Sequence, residues 1–180
     1  MKIDIVHHSQ VTILDDYHGH WYLKNDLLNF LENHRDVQNR RTNVKATMTD
    51  WTMKKYSSIL DQFKDLIISV IRDEYMTFNG KVCDHELRYE SFWGNIYKKG
   101  DYTIEHDHKP SAYSVVYFLK SKPNFSPLII ENFNTKTKKN KPLVIKPLEG
   151  RLVIFPGSLR HKVPVHIHDE TRITLAANLY

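Results

Sequence analysis

The chain has 180 residues, 41% of them hydrophobic and 12% aromatic, which is the make-up of a globular protein with one real core. Its single cysteine, Cys83, excludes an internal disulfide and a cysteine-based zinc cluster, and no apolar run approaches the roughly 18 residues of a membrane span. The 26 Lys and Arg against 21 Asp and Glu permit contact with nucleic acid or acidic partners without requiring it, and "MKIDIVHHSQ" lacks the apolar stretch of a signal peptide, so a soluble, cytoplasmic protein is expected.

The N-terminal part opens on a short alternating run, "IDIVHHSQVTIL". "YLKNDLLNFLENHR" then sets Leu23, Leu27, Phe30 and Leu31 on one helical face, and "MKKYSSILDQFKDLIISVIRDEYMTF" repeats Tyr56, Leu60, Phe63, Ile67, Val70 and Ile71 at three- and four-residue steps. That second pattern predicts an amphipathic helix of about six turns, and both helices should pack on a sheet. From Val82 onward the pattern changes to short strand-like runs: "ELRYESFWGNIY", "YTIEHD", "AYSVVYFLK", "PLIIENF", "PLVIKPL", "GRLVIFPG", "HKVPVHI" and "RITLAANL". Short strands at close spacing with no helix between them indicate an antiparallel sandwich or jelly roll. The expectation is one domain over 1–180, mostly β, with a strand and supporting helices in 1–81 and the core in 82–180.

Five of the 11 histidines lie between residues 106 and 168. In "YTIEHDH", strand alternation sends His106 and His108 to one side and Glu105 and Asp107 to the other, so two imidazoles meet one spot. A metal needs at least a third protein ligand, and His161, after the Pro-Gly turn of "GRLVIFPGSLRHKV", is placed to face back across the sandwich. Elsewhere the plain readings are preferred. His166 and His168 in "VHIHDE" face solvent, as do His7, His8, His18 and His20; Trp51 and Trp93 are core aromatics; and "TKTKKNK" is a solvated hairpin loop.

These motifs resemble the iron(II)- and 2-oxoglutarate-dependent oxygenases, in particular the prolyl-hydroxylase-like branch and the small oxygenases of phages and bacteria. Tyr97, Gly100 and Tyr102 stand ahead of His106, "VVYFL" follows the first ligand pair, and Arg172 in "RIT" follows His161. "RTNVKATMTDW", "SFWGNIYKKGDY", "GRLVIFPGSLRH" and "RITLAANL" extend the likeness over most of residues 41–180. The resemblance implies a double-stranded β-helix, a cupin-like jelly roll, holding Fe(II) on His106, His108 and His161, in a host cytoplasm if the gene is a phage's. It implies 2-oxoglutarate as co-substrate, its far carboxylate held by Arg172, Tyr117 and Thr174, since a guanidinium and hydroxyl donors answer a carboxylate. The implied reaction hydroxylates an unidentified substrate (a protein side chain, small metabolite or nucleotide) and releases succinate and CO2.

The family's first pair is His-x-Asp or His-x-Glu, whereas this chain reads His106-Asp107-His108. Either the site has three histidines or a bulge brings Asp107 to the metal in place of His108; plain alternation favours His108. Three other classes stay open: a cupin-type three-histidine enzyme without 2-oxoglutarate, a nucleic-acid demethylase of the same superfamily, and a non-catalytic jelly-roll binding module. Nucleic acid is not favoured as a partner, because Lys and Arg are concentrated only in 135–141.

Overall fold

The computed structural model describes residues 2–6, 11–15, 20–33, 35–36, 42–49, 51, 58–72, 87–131, 133–134 and 139–180. In chain order they form β1 (Lys2–Val6), β2 (Val11–Asp15), α1 (His20–Asn33), β3 (Arg35–Asp36), β4 (Val44–Lys45), β5 (Thr47–Thr49), α2 (Ser58–Ile71), β6 (Tyr89–Tyr97), β7 (Tyr102–His106), β8 (Tyr113–Lys120), β9 (Leu128–Ile130), β10 (Phe133–Asn134), β11 (Lys139–Asn140), β12 (Leu143–Ile145), β13 (Leu152–Pro156), β14 (His161–Val163) and β15 (Arg172–Leu179).

The strands make an eight-stranded sheet in the order β1-β2-β13-β8-β15-β6-β5-β3, a five-stranded sheet in the order β12-β9-β14-β7-β4, and the small hairpin β10-β11. The pairings are antiparallel, as the short turn-separated runs require. The two sheets face each other across a core that joins Trp93, Phe118, Val153 and Phe155 of the large sheet to Val44, Leu128, Ile130, Ile145 and Val163 of the small one. This is the expected jelly roll.

A second core lies on the other face of the large sheet, where the amphipathic faces of α1 and α2 are buried. Leu27 and Leu31 of α1, with Leu60, Phe63, Ile67, Val70 and Ile71 of α2, pack on Phe92, Ile96, Val115, Tyr117, Leu119, Leu175 and Leu179. The helical spacing read from the sequence therefore identifies the buried stripe, and α2 covers about four turns. Tyr56 lies outside the described residues, as do the side chains of Leu23 and Phe30 and those of the histidines at 7, 8, 18 and 20.

Residues before 82 contribute more strand than expected, five short pieces among the described residues. β2 pairs with β13, β5 with β6 and β4 with β7, so this part of the chain extends both sheets. Strands of two or three residues carry too little pattern to be read by alternation. Among the described residues no helix is long and apolar enough to cross a membrane.

Candidate active site

Three long strands of the large sheet decide what faces inward. Alternation along β15 turns Arg172, Thr174, Ala176 and Asn178 to the space between the sheets and Ile173, Leu175, Ala177 and Leu179 to the helices. Register carries the same parity across the neighbours: Arg172 pairs with Tyr97 and Thr174 with Asn95 on β6, while Asn178 pairs with Ser114 on β8. One cavity is thereby lined by Trp93, Asn95, Tyr97, Ser114, Arg172, Thr174, Ala176 and Asn178, and it also receives His106, His108 and His161.

The histidines come from the small sheet and the loop beyond it. His106 and His161 are cross-strand partners on β7 and β14. From His161 to Val163 the step is two residues, but their partners His106 and Thr103 are three apart, so β7 carries a bulge around Ile104 and Glu105. The bulge precedes His106 rather than separating it from His108. Glu105 is left on the outer surface, paired with Arg160 at 2.9 Å and Lys162 at 3.4 Å. His108 lies past the end of β7, and loop hydrogen bonds place it: its N–H donates to the Gly157 carbonyl at 2.7 Å, and its own carbonyl accepts from Ser111 N–H at 2.8 Å. Gly157 is required here, because a Cβ at that position would lie 2.2 Å from the Ser111 carbonyl oxygen.

One ring nitrogen from each of His106, His108 and His161 lies within 4.8 Å of the others. Asp107 is not in this cluster; its carboxylate accepts from Lys109 N–H at 3.3 Å within its own loop. The His106 Nδ1 contacts the Ile104 carbonyl at 2.7 Å and the His161 Nδ1 that of Leu159 at 3.1 Å, which leaves Nε2 on each as the remaining ligand atom. Burial, with the neighbouring imidazoles adding to it, pushes His161 down to about 3. Burial and then His106 push His108 down to about 4, against the pull of Asp107 and Glu90. Burial also lowers His106, opposed by the Ile104 carbonyl and Asp107. All three rings are thus neutral at pH 7, the form that binds a metal.

Arg172 occupies the closed end of the cavity. It is 1% exposed, its guanidinium carbon lies 4.7 Å from the Tyr97 ring centre and 5.0 Å from that of Phe118, and its Nε and Nη1 have no hydrogen-bond partner among the described residues. Burial lowers its basicity, and a hydrogen bond to the Tyr97 side chain opposes that. Tyr97 in turn shares a 2.7 Å hydrogen bond with Thr103, and Thr174 takes one from Asn95 Nδ2 at 3.4 Å. Two unpaired donors on a fully buried cation are costly unless an anion meets them.

Tyr117 is not at this site, which corrects the expectation drawn from the "VVYFL" motif. On β8 it shares parity with Val115 and Leu119, and its ring packs 4.7 Å from that of Phe63 on α2. The inward residues of β8 are Ser114, Val116 and Phe118, and the tyrosine beside the guanidinium is Tyr97. Tyr97, Asn95 and Asn178 were not singled out from sequence for these positions; the usable signal is that β6 and β15 pair with the same parity. Two other readings are corrected. His166 is fully buried rather than solvent-facing, because its Nε2 donates to the Glu170 carbonyl at 2.7 Å and its main chain pairs with Gly100 and Asp101. That pairing braces the β6–β7 turn, whose Gly100 has φ +91°. Trp51 is 54% exposed, at the rim of an open cleft of about 810 Å³ that leads to His106 and His108 past Trp93, Glu90 and Lys45. Trp93 is buried as expected, but it also lines the cavity, 5.9 Å from the His108 ring.

Within the jelly roll, three converging imidazoles suit a metal ion, and a buried arginine with two nitrogens unpartnered among the described residues suits a carboxylate in the same cavity. Residues 91–178, which span β6 to β15, match the family model described as "Putative 2OG-Fe(II) oxygenase", so this part of the chain, which carries the three histidines and Arg172, is similar to oxygenases of that family. No curated protein matches the chain. Among solved structures, a prolyl-4-hydroxylase of Pseudomonas putida superposes with a TM-score of 0.68 at 14% identity, over 98% of this chain and 94% of that one. The viral collagen prolyl hydroxylase of Paramecium Bursaria Chlorella virus-1, in its 2OG complex, gives 0.64 at 14% identity, over 94% of each chain. A Trichoplax adhaerens prolyl hydroxylase in complex with a hypoxia inducible factor peptide fragment gives 0.67 at 16% identity, over 94% of this chain and 83% of that one. At such identities these neighbours establish the fold.

Proposed function

We propose that His106, His108 and His161 hold Fe(II), that Arg172 with Thr174 receives the far carboxylate of 2-oxoglutarate, and that a substrate C–H bond is hydroxylated with release of succinate and CO2. The observation that carries this reading is the pair of Arg172 nitrogens, Nε and Nη1, unpartnered among the described residues and buried in the cavity the histidines enter. Bound iron and co-acid supply the oxidising chemistry. This chain's residues bind and orient. The three neutral imidazoles present lone pairs; Arg172 offers a charge-assisted pair to a carboxylate; the Thr174 hydroxyl adds a donor two residues along; and Tyr97 fixes the guanidinium plane.

Substrate enters by the open cleft. Apart from the histidines, the charged lining residues among the described ones are Lys45, Glu90 and Asp107, a mixed set rather than a basic stripe. A side chain presented by a peptide suits this entrance better than a nucleic acid. The solved neighbour with a bound peptide fragment supports that choice. A reducing cytoplasm suits both an Fe(II) site and a chain with one cysteine.

The test is anaerobic addition of Fe(II) and 2-oxoglutarate, followed by the weak visible charge-transfer band of the chelate. One equivalent of each should saturate the band in the parent protein. His161→Ala should abolish it and Asp107→Ala should preserve it. A band that survives in His161→Ala, or never forms, overturns the assignment.

A further inference from the structure

The three imidazoles are not held alike. His106 and His161 rest their Nδ1 atoms against main-chain carbonyls, which only accept, so hydrogen sits on Nδ1 and the lone pair on Nε2. The Nδ1 of His108 instead lies 3.2 Å from the Asn178 side-chain amide, drawn with Nδ2 toward the ring. Across the β15–β8 pairing, the Ser114 hydroxyl meets the other end of that amide at 3.0 Å. With Nδ2 facing the ring, the His108 hydrogen is forced onto Nε2, where a ligand needs its lone pair. Turning the amide over keeps both hydrogen bonds and reverses their sense, because a carboxamide's ends are nearly the same shape and a hydroxyl both gives and takes. Oδ1 then accepts from His108 Nδ1–H, and Nδ2 donates to the Ser114 oxygen.

We infer that Asn178, backed by Ser114, is the positioning residue that selects the metal-binding tautomer of His108, with its amide oxygen toward the ring when a metal is bound. The inference rests on the ligand assignment proposed above. Its setting is specific. Asn178 is 7% exposed and Ser114 2%, so bulk water does not compete for either bond. Asn178 is also the last inward residue of the strand that begins with Arg172, so one strand serves the co-acid at one end and the third ligand at the other. The chain departs from the usual carboxylate at His108, and an imidazole there, unlike a carboxylate, has a tautomer to be set.

The experiment uses Zn(II) as a diamagnetic probe on the full chain. Long-range ¹H–¹⁵N correlation spectra of the loaded parent protein should show His108 protonated at Nδ1 and coordinating through Nε2. Coordination through Nδ1 overturns the inference without any variant. Asn178→Leu removes the acceptor at similar volume and should weaken Zn(II) binding about 10- to 100-fold, the usual cost of losing such a partner. Asn178→Asp retains an acceptor of the same shape and should restore affinity to near the parent value. Parent-like affinity in Asn178→Leu overturns the inference alone. Parent-like affinity in His108→Ala overturns the ligand assignment and this inference with it.

Discussion

The two faces of the large sheet are made by the same three strands and do opposite things. Toward the helices, β6, β8 and β15 present Phe92, Ile96, Val115, Tyr117, Leu119, Leu175 and Leu179, an apolar surface closed by Phe63 and the other leucines and isoleucines of α1 and α2. Toward the small sheet they present Asn95, Tyr97, Ser114, Arg172, Thr174 and Asn178. Period-two alternation lets one strand hold both. The outer face gains free energy by removing apolar area from water, whereas the inner face spends some of it on buried polar groups that await partners. Stability and binding should therefore separate by residue parity.

The largest expected effect is on the outer face. Phe63→Ala should cost about 3–5 kcal/mol of unfolding free energy, read from urea denaturation, with 2-oxoglutarate affinity of the folded fraction unchanged. A loss below about 1 kcal/mol would break the contrast. Arg172→Leu should do the reverse. The co-acid should bind at least about 2 kcal/mol more weakly by calorimetry, while the fold holds or gains stability because an unpaired buried cation is gone.

Acid should act on the histidine end of the cavity. An unfolded histidine takes up its proton near pH 6.5, whereas His161 in the fold does so only near 3 and His108 near 4. Below 6.5 the unfolded chain thus binds more protons than the native one, and metal-free stability should fall with pH until those low values are reached. His161, 5% exposed, should contribute the larger part of that loss, and part-exposed His108 less. A urea midpoint that stays level from pH 6.5 to 5 would contradict this. The smallest effect discriminates two tyrosines. Tyr97→Phe should weaken 2-oxoglutarate binding by about 0.5–1.5 kcal/mol through a less well held guanidinium, and Tyr117→Phe should leave it unchanged. Equal effects would mean that parity does not sort function.

Much of this was legible from the residues. The eight strand-like runs after Val82 each coincide with a strand, because alternation and Pro or Gly punctuation mark them. His106, His108 and His161 come together, but His108 lies past the end of β7 and is set by loop hydrogen bonds rather than by the strand alternation read from "YTIEHDH". Tyr117 was misplaced for a physical reason. β8 is buried on both faces, so "VVYFL" is apolar throughout and offers no alternation from which to read direction. A motif fixes a position along the chain and not the face it occupies. His166 reads as solvent-facing in sequence because its burial depends on main-chain pairing with a turn more than 60 residues earlier. Trp51 shows the converse, since size alone does not send an aromatic inside.

Gly157 has no side chain to offer a metal or a co-acid, yet its carbonyl anchors the His108 main chain and its bareness admits the Ser111 carbonyl. Any other residue there must push that loop aside, and His108 would move with it. In a survey of natural or laboratory variants, position 157 should therefore behave like a fourth ligand. Substitutions there would erase metal binding in an otherwise folded protein and be scored as damage to chemistry, although the lesion is only the thickness of one carbon atom.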